Sequence, residues 1–170
     1  MAICLTGTPG TGKSSACKFL KDFICIELNE VARKHNLLKE YDEERDTYVV
    51  DLEELSNVLR EYNKEGTIFV GHLSHLIARE LIDMIVVLRT DPKCLEKRLV
   101  REGFSKEKIR ENCDAEALGI IVSESLNACE EVYEVDTTNK SAEDVAREIE
   151  NIIKNKEGKK PSIDWSEEYF

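Results

Sequence analysis

The sequence predicts an α/β fold with a five-stranded parallel sheet flanked by helices. Three observations predict it. Short, nearly unbroken apolar runs alternate with longer stretches of helical periodicity, the pattern of strands joined by crossover helices. A glycine-rich loop links the first run to the first helix. At 170 residues the chain suits one domain with one substantial core, so 1–170 is read as a single unit.

The first strand, Ala2–Thr6, opens the chain, and Gly7-Thr8-Pro9-Gly10-Thr11-Gly12-Lys13-Ser14 follows it. Phe23–Glu27 is the second strand, Thr67–Val70 the third, Met84–Arg89 the fourth and Val132–Asp136 the fifth. All are short and carry apolar residues nearly continuously, as strands covered on both faces should. Between the second and third, Leu52, Leu55, Leu59 and Tyr62 recur at helical spacing, so Asp51–Tyr62 is an amphipathic helix. Asp91-Pro92 reads as an N-cap and a first-turn proline, opening a helix that buries Leu95 and Leu99. Ser141-x-x-Asp144 resembles a capping box, and Val145, Ile149, Ile152 and Ile153 form the stripe after it. Lys154–Lys160 is expected to be an exposed linker. Ile163, Trp165, Tyr169 and Phe170 are too apolar for a solvated end and are expected to dock back on the body, the alternative being a partner contact.

Composition narrows the function classes. A net charge of −11 argues against sequence-specific nucleic-acid binding, because phosphate backbones require a basic surface. It permits a basic protein partner. The six cysteines form no C-x-x-C pair and several sit among apolar neighbours, so they are read as reduced core residues of an intracellular, cytoplasmic protein. No apolar run approaches a membrane span, and no signal-peptide pattern precedes the first strand.

The loop carries the chemistry. Gly7–Ser14 is a complete G-x-x-x-x-G-K-[ST], the P-loop, placed between strand and helix. Its glycines allow backbone N–H groups to curl around phosphate oxygens, and the helix start adds a positive dipole end. Lys13 is expected on an exposed loop, reaching the β- and γ-phosphates of ATP, and the Ser14 hydroxyl is the expected Mg²⁺ ligand. The sequence has no N-K-x-D stretch for guanine. A small phosphotransferase with a second substrate site is what these features leave.

The chain resembles the atypical adenylate kinases of archaea and eukaryotes, and the archaeal members in particular. The resemblance rests on Gly7–Ser15, Val31-Ala32-Arg33, Tyr41-Asp42-Glu43-Glu44 with Asp46, and Gly71-His72-Leu73-Ser74-His75. It continues through Val87-Leu88-Arg89-Thr90-Asp91, Arg98-Leu99, the stretch from Gly103-Phe104-Ser105 to Asn112, and Ile163-Asp164-Trp165. It implies a P-loop NTPase fold with a helical monophosphate-binding segment (about 29–62), a short lid (about 103–112) and a C-terminal tail (158–170). It also implies exchange of phosphate between ATP and AMP, accompanying ATP hydrolysis, and a part in small ribosomal subunit maturation through a basic ribosomal protein. Lys13, His72 and Arg98 become the catalytic candidates, His72 for hydrolysis and His75 as a secondary possibility. Gly10, Thr11, Gly12, Lys13, Ser14, Ser15, Arg33, Arg98, Arg101, Asn139 and Lys140 become the nucleotide-binding ones. Arginine suits monophosphate capture at Arg33 because its planar fork binds phosphate bidentately.

Two positions depart from the family pattern. Where relatives end the third strand in an aspartate that helps hold Mg²⁺ and its waters, this chain has Val70. Asp91 and Asp136, at other strand ends, are the candidate replacements, and Val70→Asp is expected to tighten Mg²⁺ dependence and raise turnover. Relatives also place an arginine four residues after Arg98. Here that position is Glu102, with Arg101 beside it. The competing readings are a nucleotide-gated assembly factor with weak or no kinase turnover and, more remotely, a kinase for another small acceptor such as shikimate.

Overall fold

The computed structural model describes residues 2–43 and 47–170. Five strands form one parallel sheet: β1 (Ala2–Thr6), β2 (Ile24–Glu27), β5 (Thr67–Val70), β6 (Ile82–Arg89) and β7 (Val132–Asp136). Their order is β2-β5-β1-β6-β7. All five expected strands are present, with only their starts shifted at β2 and β6. The chain leaves β1 towards β2 and β5 on one side, then crosses to β6 and β7 on the other. That reversal opens a crevice at the carboxyl end of β1, where open α/β sheets bind ligands.

Side chains alternate faces along each strand, and a separate core lies on each side of the sheet. Cys4, Phe69, Ile85 and Val87 face α2 (Leu28–Lys34) and α3 (Leu52–Tyr62), meeting Leu28, Val31, Leu55 and Leu59. Leu5, Ile68, Val70, Val86 and Leu88 face α1 (Lys13–Cys17) and α7 (Ala142–Asn155), meeting Ala16, Val145, Ile149 and Ile152. The edge strand β2 is less covered, and its Ile24 is exposed.

The helix starts follow the expected side chains. Asp51 accepts from the Glu53 and Glu54 amides, Asp91 from the Lys93 amide ahead of Pro92, and Ser141 from the Asp144 amide. Beyond α4 (Pro92–Arg101), α5 (Lys106–Leu118) packs Ile109 and Cys113 on Leu95 and Leu99, with Phe104 and Tyr169 joining them. After α6 (Ile120–Ala128) and β7, the tail runs beside the sheet, the Glu134 amide donating to Lys159 O at 2.9 Å. Its end docks as expected through Trp165 and Tyr169, whereas Phe170 stays exposed.

One element corrects the expectation. The segment 29–62 is not wholly helical: between α2 and α3 it forms an antiparallel ribbon of β3 (Leu38–Asp42) and β4 (Thr47–Val50). Tyr41 packs edge-on against Tyr48 across it, a cross-strand pair that holds the two strands together. Glu44 and Asp46 of the family motif lie outside the described residues.

Candidate active site

The P-loop leaves β1 at the crevice and closes on itself. The Thr11 amide and hydroxyl both donate to Thr8 O, at 3.2 and 2.8 Å. Gly10 has φ +90°, and a Cβ there would lie 2.8 Å from Leu99 Cδ2, so only glycine lets α4 press against the loop. Gly12 takes the left-handed conformation that begins α1. Because α1 is only five residues long, its dipole is a fraction of a full helix's. The loop's own amides therefore carry more of the anion attraction than the sequence suggests.

Two cavities flank this loop. One, of about 320 Å³, is lined by Pro9, Gly10, Lys13 and Ser14, and by Glu27, Gly71, His72 and Glu102. The other, of about 200 Å³, lies behind it between Gly12, Ser15, Arg98, Thr137 and Lys140. A larger hollow of about 430 Å³ opens between the start of α6 and the tail, away from the loop.

Lys13 is half-buried, which corrects the exposed position expected for it. Its Nζ donates to Gly7 O at 2.6 Å and Thr8 O at 3.1 Å. Burial lowers its ammonium to about 8, while Glu116 and Glu27 pull it upward. His72 faces the same cavity; burial, then repulsion from Lys13, brings its imidazole down to about 4. It is therefore neutral at neutral pH. His75 lies deeper, its Nδ1 2.8 Å from Thr6 Oγ1 and its Nε2 2.7 Å from Glu124 Oε2, a bridge between β1 and α6.

Arg98 reaches the second cavity but is held by protein oxygens: Nη2 donates to Thr137 O at 2.9 Å, and Nη1 approaches Thr137 Oγ1 and Gly10 O. It ties α4 to the P-loop and to the turn after β7. Lys140 lines that cavity with its ammonium paired to Glu148, whereas Asn139 is exposed and outside both linings. Arg101 and Arg33 are also exposed and line neither cavity. Glu102, in the place of the family arginine, lines both.

The acids tell a similar story. Asp91 caps α4, and Asp136 accepts from the Thr138 amide and hydroxyl, so both proposed replacements for the missing aspartate are engaged outside the cavity beside Lys13. Val70 is fully buried in the apolar cluster on the α1 side. The carboxylate that does reach the loop is Glu27, whose Oε1 accepts from Ser14 Oγ at 2.8 Å. Sequence reasoning missed it, although its place as the last residue of a strand was a signal. Among the described residues, no cluster of three or more acidic, histidine or cysteine side chains forms a ready-made metal site.

Known proteins resemble this chain in sequence and in fold. The AAA domain family matches residues 3–119. A protein of Methanocaldococcus jannaschii named "Putative adenylate kinase" is 41% identical over 175 residues, spanning 100% of this chain and 96% of its own. One of that name from Archaeoglobus fulgidus is also 41% identical, covering 99% of this chain and 93% of its own. Among solved structures, shikimate kinase from Acinetobacter baumannii in complex with shikimate superposes with a TM-score of 0.64 at 19% identity, over 89% of this chain and 92% of that one. The YorR protein of Bacillus subtilis, in complex with phosphorylated GDP, gives a TM-score of 0.61 at 19% identity, over 92% and 97%. At such identities the structural matches speak for the fold alone.

Proposed function

The chain belongs to the AAA domain family and to the archaeal family named "Putative adenylate kinase", and from that premise we propose that it transfers phosphate between ATP and AMP. One observation carries the reading: Lys13, Ser14 and His72 converge on a single cavity at the carboxyl edge of the sheet, bounded by loop glycines. Phosphoryl transfer asks a protein for positioning and charge neutralisation more than for covalent chemistry. Lys13 turns from the loop carbonyls to the phosphates, a cation that exchanges neutral acceptors for charged ones. Arg98 fixes α4 against the loop, and the proposed lid, about 103–112, runs from the end of α4 into the first half of α5. Arg33, exposed on α2 one turn beyond the cavity wall at Asn29, is free to swing to the monophosphate.

The Ser14 hydroxyl bonded to the Glu27 carboxylate, a pair of oxygen ligands, fits a hard cation such as Mg²⁺. When bound, Mg²⁺ supplies charge neutralisation at the phosphate oxygens. A neutral His72 in the cavity wall supports accompanying ATP hydrolysis, since it accepts a proton from water.

The test is a coupled assay with ATP against AMP, CMP, GMP and UMP, with Lys13→Ala as control. AMP should be the preferred acceptor and the variant inactive. No transfer to any monophosphate, or undiminished transfer in the variant, would sink the reading. A second role, nucleotide-gated binding of a basic small-subunit ribosomal protein during subunit maturation, is favoured by the net charge of −11. Its test is whether such a protein binds differently to the ATP and ADP forms.

A further inference from the structure

The end of β5 lacks the carboxylate that would steady a divalent cation beside the P-loop, yet the structure supplies one from the next strand. In the parallel pair of β2 and β5, Ile26 is in register with Phe69 and Glu27 with Val70. Register partners project from the same face of a sheet, so Glu27 and Val70 leave the backbone side by side, towards α1. Val70 stops in the apolar cluster against Leu5 and Ala16. Glu27 is longer and lies at the less covered edge. It arrives in the phosphate cavity, where its Oε1 accepts the Ser14 hydroxyl proton at 2.8 Å.

We propose that Glu27 is the acidic positioning residue for the metal–nucleotide complex, a carboxylate moved one strand outward to replace the one missing at Val70. This rests on the reading of the site as an ATP site. Two physical consequences follow from the geometry. A hydroxyl that donates its proton to Glu27 keeps its lone pairs for a hard cation, so Glu27 fixes the rotamer in which Ser14 is a ligand. The carboxylate also adds a full negative charge at the cavity wall. That charge attracts a divalent cation and repels the phosphates of a metal-free nucleotide.

The sign of that second effect makes the role testable. Glu27→Gln keeps the shape and an acceptor for Ser14 while removing the charge. It should weaken Mg²⁺·ATP binding by about tenfold or more, the usual cost of losing an outer-shell anchor. The same variant should bind ATP more tightly than wild type when the metal is chelated. Glu27→Asp, which retains the charge, should keep the wild-type preference for the metal complex over metal-free ATP. Calorimetric titrations with and without Mg²⁺ measure both affinities. Mn²⁺ in place of Mg²⁺, followed by its electron paramagnetic resonance signal, reads the cation directly at fixed ATP. Equal losses with and without metal in Glu27→Gln, or an unchanged Mn²⁺ affinity, would overturn the role of Glu27 and leave the ATP site standing. A wild-type protein that binds ATP neither way would overturn both.

Discussion

Lys13 holds its charge in surroundings that resist it. With burial lowering the ammonium to about 8, the free protein begins to lose this proton as the pH rises through that value, whereas the ATP complex needs the cation. Binding then requires proton uptake, so ATP affinity should hold below about pH 8 and fall above it by up to about tenfold per pH unit. Calorimetry at several pH values would show this, and an affinity flat through that range would separate Lys13 from the phosphates. His72 is displaced the same way, to about 4, by burial and by Lys13, His75 and Lys108. A base already neutral gives hydrolysis that is level from about pH 5 to about pH 8 and declines only towards pH 4. His72→Asn should depress hydrolysis and spare transfer to AMP. An acid limb near the ordinary histidine value, or equal loss of both activities, would assign His72 a different part.

At the scale of elements, the carboxyl ends of β2 and β5 act as one unit. Val70→Asp would set a second carboxylate beside Glu27 on the same face, in a position now fully buried among apolar side chains. Like charges across a sheet repel, and an unpaired buried charge is among the costliest single changes. The variant should lose about 3 kcal/mol or more of stability in urea denaturation rather than gain turnover, the reverse of what the sequence alone suggested. Wild-type stability in this variant would mean that the strand end is better hydrated than its burial indicates. Such consequences lie beyond the sequence because register between strands 40 residues apart in the chain is written in neither strand by itself. What was legible had a local cause. Four of the five strands are covered on both faces and so nearly continuously apolar, with only the edge strand β2 less buried, and the caps at Asp51, Asp91 and Ser141 are short-range chemistry. The β3–β4 ribbon was illegible because neither strand alternates strictly: Lys39 and Glu40 are consecutive charged residues, and Tyr48, Val49 and Val50 are consecutive apolar ones. Helix α5 hid for a different reason: its inward stripe of Ile109, Cys113 and Ala117 is interrupted by buried Glu116.

That glutamate joins the P-loop to the far end of the molecule. Thr8 Oγ1 donates to Glu116 Oε2 at 2.6 Å, and Arg89 Nε donates to Glu116 Oε1 at 2.9 Å. Arg89 Nη1 also donates to Glu134 Oε2 at 2.9 Å, and the other Glu134 oxygen accepts the Ser162 and Ile163 amides. Trp165 covers the arginine, its ring centre 4.9 Å from Cζ. Arg89, Glu116 and Glu134 are each at most 3% exposed, so every bond among them forms in surroundings that penalise an unmatched charge heavily. Deleting 161–170 would take two donors from Glu134, the apolar cover from Arg89, and Tyr169 from the cluster shared by α4 and α5. The truncated protein should be less stable by about 3 kcal/mol or more, because a buried carboxylate left short of donors carries nearly its full desolvation cost. ATP affinity should fall as well, since Thr8 is anchored through the same glutamate. Phe170→Ala is the control: its ring is 68% exposed, so its loss should change neither quantity. If the truncation unfolded at the wild-type urea concentration with ATP affinity intact, the tail would be a passive extension. The Arg89 network would then stand on Glu116 and Glu134 without it.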